Sequence, residues 1–98
     1  MDKSQEEKIF EDAINLFGST SQKIMVIEEM SELTKELCKD LRDRGNIGSI
    51  AEEIADVEIT LAQIKRIYDI NKQVDEYKDY KLNRFAFRME ELKANKKA

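Results

Sequence analysis

The sequence predicts an all-α protein, and its composition carries that prediction. Among 98 residues there is no proline, 39% are charged and 41% are apolar, which favours long helices with one buried face over strands or linkers. A chain of this size hides only about two thirds of its unfolded surface on folding. We therefore expect a single domain over residues 1–98, with its core in residues 4–93 and a polar tail in residues 94–98, completed by oligomerisation.

Apolar residues at helical spacing, together with local start and stop signals, predict the first two helices. The first helix is expected from about Ser4 to Phe17, with Gly18 ending it. The second is expected from near Thr20 to about Arg44. Ser19 and Gln22 match the capping-box spacing at its start, in which a serine oxygen caps an early backbone amide.

The same signals predict two further helices. Residues 45–48 contain two glycines and an asparagine, which suits a helix stop and a tight connection. Ser49 and Glu52 repeat the capping-box spacing, and the helical period of apolar residues then continues to Tyr68. The pattern weakens over residues 71–75 before it resumes in a fourth helix. We expect the second and third helices to form an antiparallel hairpin, on which a helical bundle is built.

Several functions are excluded by what the chain lacks. With no histidine and one cysteine, Cys38, it has no histidine base, no histidine-liganded zinc and no intrachain disulfide. No apolar run is long enough to span a membrane or resembles a signal peptide, so we expect a cytoplasmic protein without a membrane partner. The formal net charge of the chain is -4, and an acidic chain argues against a nucleic-acid partner.

The charge is unevenly distributed along the chain. Residues 1–64 carry 7 basic and 15 acidic side chains, whereas residues 65–98 carry 10 basic and 6 acidic ones. The basic end is suited to meet phosphate, and the acidic part is suited to bind a cation. A small anionic ligand that binds through a metal ion fits this distribution.

Two acidic pairs lie on the second and third helices, each at the border of an apolar stripe. The pairs are Glu29 with Glu32 and Glu53 with Asp56. Carboxylates turned toward a protein interior are costly unless a cation or protons compensate them. Mg²⁺ prefers oxygen ligands and is commonly held by a few carboxylates together with substrate phosphates. The sequence therefore predicts a magnesium site between the two helices.

At these residues the chain resembles the MazG-like superfamily of all-α nucleoside triphosphate pyrophosphohydrolases. The motifs that carry the resemblance read EEMSEL at 28–33 and EEIADV at 52–57, and the similarity extends over residues 20–88, to KLNRF at 81–85. The chain is similar to the short, single-domain members, including phage-encoded ones. The resemblance implies hydrolysis of the α,β-phosphoanhydride of a nucleoside triphosphate to monophosphate and pyrophosphate, with Mg²⁺, in a homodimer or homotetramer.

The resemblance also implies roles for individual residues. Glu29, Glu32, Glu53 and Asp56 correspond to the Mg²⁺ ligands, and Glu28 or Glu29 would accept the proton of the attacking water. Lys81 and Arg84 correspond to the phosphate-binding cations, although Lys78 and Arg88, one turn away, are alternatives.

Two other functions stay open at this point. One is a non-catalytic helical interaction module whose acidic stripes pair with a basic partner or with the tail of a neighbouring subunit. The other is a hydrolase of narrower specificity, acting on dUTP, dCTP or phosphoribosyl-ATP. No base-reading motif in the sequence decides between substrates.

Overall fold

The computed structural model describes residues 1–97, and these residues form four helices and no strand. Helix α1 spans Lys3–Phe17, α2 spans Ser19–Leu41, α3 spans Ile47–Tyr68 and α4 spans Asn71–Lys97. The prediction of an all-α protein is confirmed. None of the helices in this part of the chain is long and apolar enough to cross a membrane.

The start of α1 and the junction with α2 differ in how they are capped. Asp2 and Gln5 form a capping box in which each side chain accepts a hydrogen bond from the other residue's backbone N–H. Gly18 ends α1 with φ of 88°, as predicted, since positive φ favours glycine. The capping box predicted for Ser19 and Gln22 is wrong, because Gly18 is the only residue between the helices and Ser19 is already helical.

The connection between α2 and α3 is also shifted from its predicted position. Helix α2 ends at Leu41, and α3 starts at Ile47 because the Asn46 side chain accepts a hydrogen bond from the Ser49 backbone N–H at 3.0 Å. The predicted cap at Ser49 is therefore wrong. Gly45 is required at its position, since a Cβ there would collide with Asp40.

The fourth helix includes residues 71–75, over which the apolar pattern of the sequence weakens. The chain turns at Asp69, which has φ of 52°, and α4 starts at Asn71. The weak apolar pattern of residues 71–75 reflects the first turns of an exposed helix rather than a loop. The predicted polar tail is helical through Lys97, and Ala98 lies outside the described residues.

The interface between α2 and α3 is mostly polar. These two helices make the most extensive contacts in the chain. They run antiparallel, because the connection between them consists only of residues 42–46 and is too short for a parallel arrangement. Their facing residues recur in steps of four and three, as in a coiled-coil seam. We call this interface the seam; it consists of Gln22, Val26, Glu29, Leu33 and Glu36 of α2 and Ser49, Glu53, Asp56, Thr60 and Gln63 of α3.

The apolar stripes of both helices lie beside the seam. On each helix, the apolar stripe is rotated by about 80° about the helix axis from the seam, in the same direction when each helix is viewed from its N-terminus. Because the helices are antiparallel, this rotation places both stripes on one side of the pair. We call this surface the apolar face; it consists of Ile27, Met30, Leu37 and Leu41 of α2 and Ile50, Ile54, Val57 and Leu61 of α3. Val26 is the only apolar residue among 1–97 that is buried. The chain alone thus leaves most of this apolar face exposed, although Ile50 and Val57 are half-buried.

The other two helices do not cover this face. Helix α1 packs on the opposite side of the pair, where Glu11 forms an ion pair with Arg66 at 3.2 Å. Helix α4 contacts α3 alone among the helices and projects away from the rest. The radius of gyration is 17.7 Å, whereas a compact chain of this length has a value of about 13 Å.

Candidate metal centre

Three carboxylates meet in the seam. Glu29 of α2 and Glu53 and Asp56 of α3 each offer one oxygen, and these three oxygens lie within 4.8 Å of one another. All three side chains are half-buried. The cluster exists because residues three or four apart lie on the same side of a helix, so Glu53 and Asp56 point together toward the α2 residue opposite them.

Among residues 1–96, no positive side chain pairs with this cluster. The ion pairs in this part of the chain involve other carboxylates. One of these is Glu36, which also lies in the seam and contacts Lys39 at 3.3 Å. In addition, the Glu53 Oε2 atom is buried and accepts no hydrogen bond. A buried carboxylate oxygen without a partner is costly. Within the described side chains, the cluster thus has neither a countercharge nor a hydrogen-bond donor for this oxygen.

The electrostatics of the cluster agree with its geometry. Partial burial raises the pKa of Glu29, and the negative charge of Asp56 raises it further. Partial burial likewise raises the pKa of Glu53, with a further contribution from the charge of Glu29. Glu29 and Glu53 thus resist ionisation, first because they are partly buried and second because negative charges lie beside them.

The residues present fit a Mg²⁺ ion. Mg²⁺ binds oxygen ligands octahedrally at about 2.0–2.1 Å, so neighbouring ligands of one ion lie about 3 Å apart and opposite ligands about 4 Å apart. The three carboxylate oxygens lie within 4.8 Å of one another, so they would have to move closer together to bind one ion directly, or would reach it through the waters that Mg²⁺ commonly keeps. A set of three carboxylates without histidine or cysteine favours Mg²⁺ over zinc.

The other two glutamates predicted on α2 stand outside this cluster. Glu32 is exposed and is not among the three residues whose oxygens converge. Its charge nevertheless raises the pKa of both Glu29 and Glu53, which places it next to them. Glu28 is exposed as well, and its position one residue before Glu29 turns it by about 100° away from the seam.

The predicted phosphate-binding cations lie on α4, away from the cluster. Lys81 and Arg84 line a shallow depression on α4 together with Lys78, Arg88 and two apolar residues. Helix α4 makes no contact with α2, which carries Glu29. The arrangement within one chain therefore does not bring Lys81 and Arg84 to the carboxylates.

Two buried residues of the seam were missed by the sequence-based prediction. Gln22 is 1% exposed and Gln63 is 6% exposed, and the Oε1 atom of each accepts no hydrogen bond. Thr60, between Gln63 and the cluster, is also buried, but its hydroxyl donates to the Asp56 carbonyl at 2.9 Å. The spacing was the available signal, since each glutamine is seven residues from a carboxylate of the cluster and so shares its side of the helix.

Comparison of the chain with protein-family models, with curated proteins and with solved structures finds no match. Membership of the MazG-like superfamily therefore stays a prediction that rests on the motif residues. The class of site rests on the observed geometry, which is a cluster of three carboxylates between two helices.

The raised pKa values predict how stability depends on pH and on cations. In EDTA, the free energy of unfolding should fall as pH rises above about 4.5, because the folded state holds protons on Glu29 and Glu53 more tightly than the unfolded state does. Mg²⁺ should raise the melting temperature most at the high end of this range, where the carboxylates are ionised. Melting curves in EDTA and in Mg²⁺ from about pH 5 to about pH 8 measure both effects.

The double variant Glu29→Gln with Glu53→Gln provides the control for this experiment. It should lose the Mg²⁺ effect and most of the pH dependence in this range. A native chain whose melting temperature at about pH 8 is the same in Mg²⁺ and in EDTA would contradict the assignment of a cation to the cluster.

Proposed function

We propose that the protein is a Mg²⁺-dependent nucleoside triphosphate pyrophosphohydrolase. The observation that carries the proposal is the convergence of Glu29, Glu53 and Asp56 without a compensating cation. These are three of the four residues that the resemblance assigns to Mg²⁺. Bound Mg²⁺ would neutralise the phosphates of the substrate and lower the pKa of water, which is the chemistry that phosphoanhydride hydrolysis needs.

The carboxylates have separate tasks in this proposal. Glu53 and Asp56 hold Mg²⁺ from α3, and Glu29 holds it from α2, with Glu32 beside them. The proton of the attacking water passes to a glutamate within hydrogen-bond reach. Glu29 is the better candidate, since it lies in the cluster whereas Glu28 is exposed on α2.

The assembly follows from the uncovered apolar face. A chain of 98 residues with Val26 as its only buried apolar residue within 1–97 lacks the buried area that a stable fold needs. We propose that the apolar faces of two copies pack together, so that the two α2–α3 pairs form a four-helix bundle. Self-complementary faces of this kind are typical of two-fold symmetric dimers. The carboxylate cluster would stay accessible, because it lies in the seam beside this face.

Helix α4 would supply the phosphate-binding cations to a neighbouring copy. It carries Lys81 and Arg84 beside exposed apolar residues such as Leu82 and Phe85, and it does not contact α2 of its own chain. Its basic surface is complementary to the acidic pair α2–α3. In this arrangement Lys81 and Arg84 neutralise the leaving pyrophosphate.

Mixing two inactive variants tests this sharing of residues. Glu53→Gln removes a carboxylate, and the double variant Lys81→Ala with Arg84→Ala removes the cations, so each protein alone should be inactive. After unfolding and refolding together, a symmetric dimer should recover about a quarter of the native activity, because half of the dimers would hold one intact site. A mixture that stays inactive while the native protein refolds actively would place both sets of residues in one chain.

The bond that is cleaved is tested by product analysis in ¹⁸O-labelled water. Attack at the α-phosphorus releases unlabelled pyrophosphate and a monophosphate that contains ¹⁸O, and ³¹P NMR resolves both. Release of orthophosphate and a nucleoside diphosphate would show instead cleavage of the β,γ-bond. If neither set of products forms from any nucleotide, the interaction module is favoured. The basic α4 and the acidic α2–α3 pair are the observation that supports such a module.

A further inference from the structure

Two buried glutamines of the seam have side-chain oxygens without a hydrogen-bond donor. Gln22 is 1% exposed, Gln63 is 6% exposed, and the Oε1 atom of each is buried and unpartnered. Leaving a buried amide oxygen without a partner destabilises a protein, and native structures contain few such atoms. Apolar residues of similar size would fill the same space without that penalty. Packing alone therefore does not explain both glutamines.

The two glutamines lie at the same level of the α2–α3 pair and at a fixed distance from the metal centre. Gln22 is seven residues before Glu29, and Gln63 is seven residues after Asp56. Because α2 and α3 are antiparallel, these steps lead in the same direction along the pair. Seven residues of helix span about 10 Å. One α-phosphate and one sugar bridge a gap of this size between a metal-bound phosphate and a nucleobase.

We propose that Gln22 and Gln63 form the subsite that reads the base of the nucleotide. The inference rests on the proposed function, because the metal centre sets the position of the phosphates. A side-chain amide offers one acceptor and two N–H donors, which match the adjacent donor and acceptor groups on the edge of a nucleobase. The unpartnered Oε1 atoms require donors, and the ring N–H or exocyclic amino group of a base supplies them.

Helix α1 must shift to admit the base. It covers the end of the seam where the glutamines lie, since Glu11 and Ile14 of α1 line a depression together with Arg66 and Ile67 of α3. Its attachment is weak. No residue of α1 is buried, and its one ion pair to α3 uses Glu11, whose side chain is 61% exposed. Elements with few buried contacts are those that open at the lowest free-energy cost.

The variants Gln22→Met and Gln63→Met separate base recognition from packing. Methionine has a similar length and no hydrogen-bonding head group, so a glutamine that only fills space can be replaced without loss of stability. If the amides read the base, the kcat/KM of the preferred nucleotide should fall by about 10- to 100-fold in each variant, toward the value of the poorer nucleotides. The melting temperature should stay the same or rise. Gln73→Met, at an exposed glutamine of α4, is the matched control.

The experiment measures hydrolysis and binding for a panel of nucleotides. Binding of non-hydrolysable α,β-methylene triphosphates with Mg²⁺ is followed by calorimetry, so that base preference is measured even without turnover. Loss of preference in folded Gln22→Met and Gln63→Met, but not in Gln73→Met, supports the inference. If the native protein binds with a base preference but hydrolyses nothing, and the variants lose that preference, the proposed hydrolase fails while the base subsite stands.

Other results would overturn the inference. Folded variants that keep the native preference, or a native protein that does not distinguish bases, would remove Gln22 and Gln63 from recognition and leave the hydrolase intact. A native protein that binds no nucleotide would overturn both proposals. If the methionine variants do not fold, Gln63→Asn provides the second test, because it keeps the amide but withdraws it by one methylene. A folded Gln63→Asn protein with native preference would overturn the inference.

Discussion

Replacing Glu53 by Gln is expected to lower Mg²⁺-dependent pyrophosphate release by about 1,000-fold while leaving the protein at least as stable as before. The loss follows because a metal ligand contributes several kcal/mol to charge stabilisation in the transition state, and each 1.4 kcal/mol is about tenfold in rate. Glu53 is half-buried beside Glu29 and Asp56, and its pKa is raised. Removing its charge relieves repulsion, so the melting temperature in EDTA should rise or stay unchanged.

The opposite directions of these two effects identify a functional site. A residue kept for stability would, when replaced, lower both activity and melting temperature. Glu58→Gln makes the same chemical change at an exposed position of α3 and should leave both unchanged. A Glu53→Gln protein with native Mg²⁺-dependent activity would contradict the assignment of Glu53 to the metal centre.

A negative charge on the apolar face is expected to dissociate the protein. Leu61 belongs to this face on α3 and is 40% exposed in the single chain. In the proposed dimer, Leu61→Glu would bury an unpaired charge, which costs several kcal/mol and weakens association by about 100-fold or more. Because the single chain has little buried apolar surface, dissociation should also remove cooperative unfolding. Light scattering after size-exclusion chromatography and thermal melting measure the two effects.

Ala51→Glu is the matched control for this prediction. Ala51 is exposed on α3, on the side that points away from α2, and the variant adds the same charge outside the apolar face. It should stay assembled. A native protein that is monomeric at micromolar concentrations, with a melting temperature independent of concentration, would contradict the proposed assembly.

The sequence predicted the fold class well because helical periodicity is a strong local signal. The apolar positions from Ile50 to Tyr68 indicated α3 over most of its length, and Gly18 marked the end of α1. Capping was predicted less well. A Ser with Glu or Gln three residues later is common within helices, and the sequence alone did not show that Asn46 had already started α3 before Ser49.

The pairing of faces was the harder part of the prediction. Periodicity placed the carboxylates at the border of an apolar stripe, whereas in the structure Glu29, Glu53 and Asp56 lie in the seam and the apolar stripe lies outside it. A single helix does not reveal which of its sides meets its neighbour when the neighbour also has two usable sides. The burial of Gln22 and Gln63 was missed because a Gln on a helix is ordinarily a solvated residue. Only the packing of α2 against α3 distinguishes Gln22 and Gln63 from exposed glutamines such as Gln73.

The central claim is that the carboxylate cluster holds Mg²⁺ for the hydrolysis of a nucleoside triphosphate. The most direct measurement is pyrophosphate release by the native protein from a panel of ribo- and deoxynucleoside triphosphates, in Mg²⁺ and in EDTA. Release from at least one nucleotide that requires Mg²⁺ is the predicted result. Absence of release from every nucleotide, together with a melting temperature that does not respond to Mg²⁺, would contradict the claim and leave the acidic stripes as a surface for a basic partner.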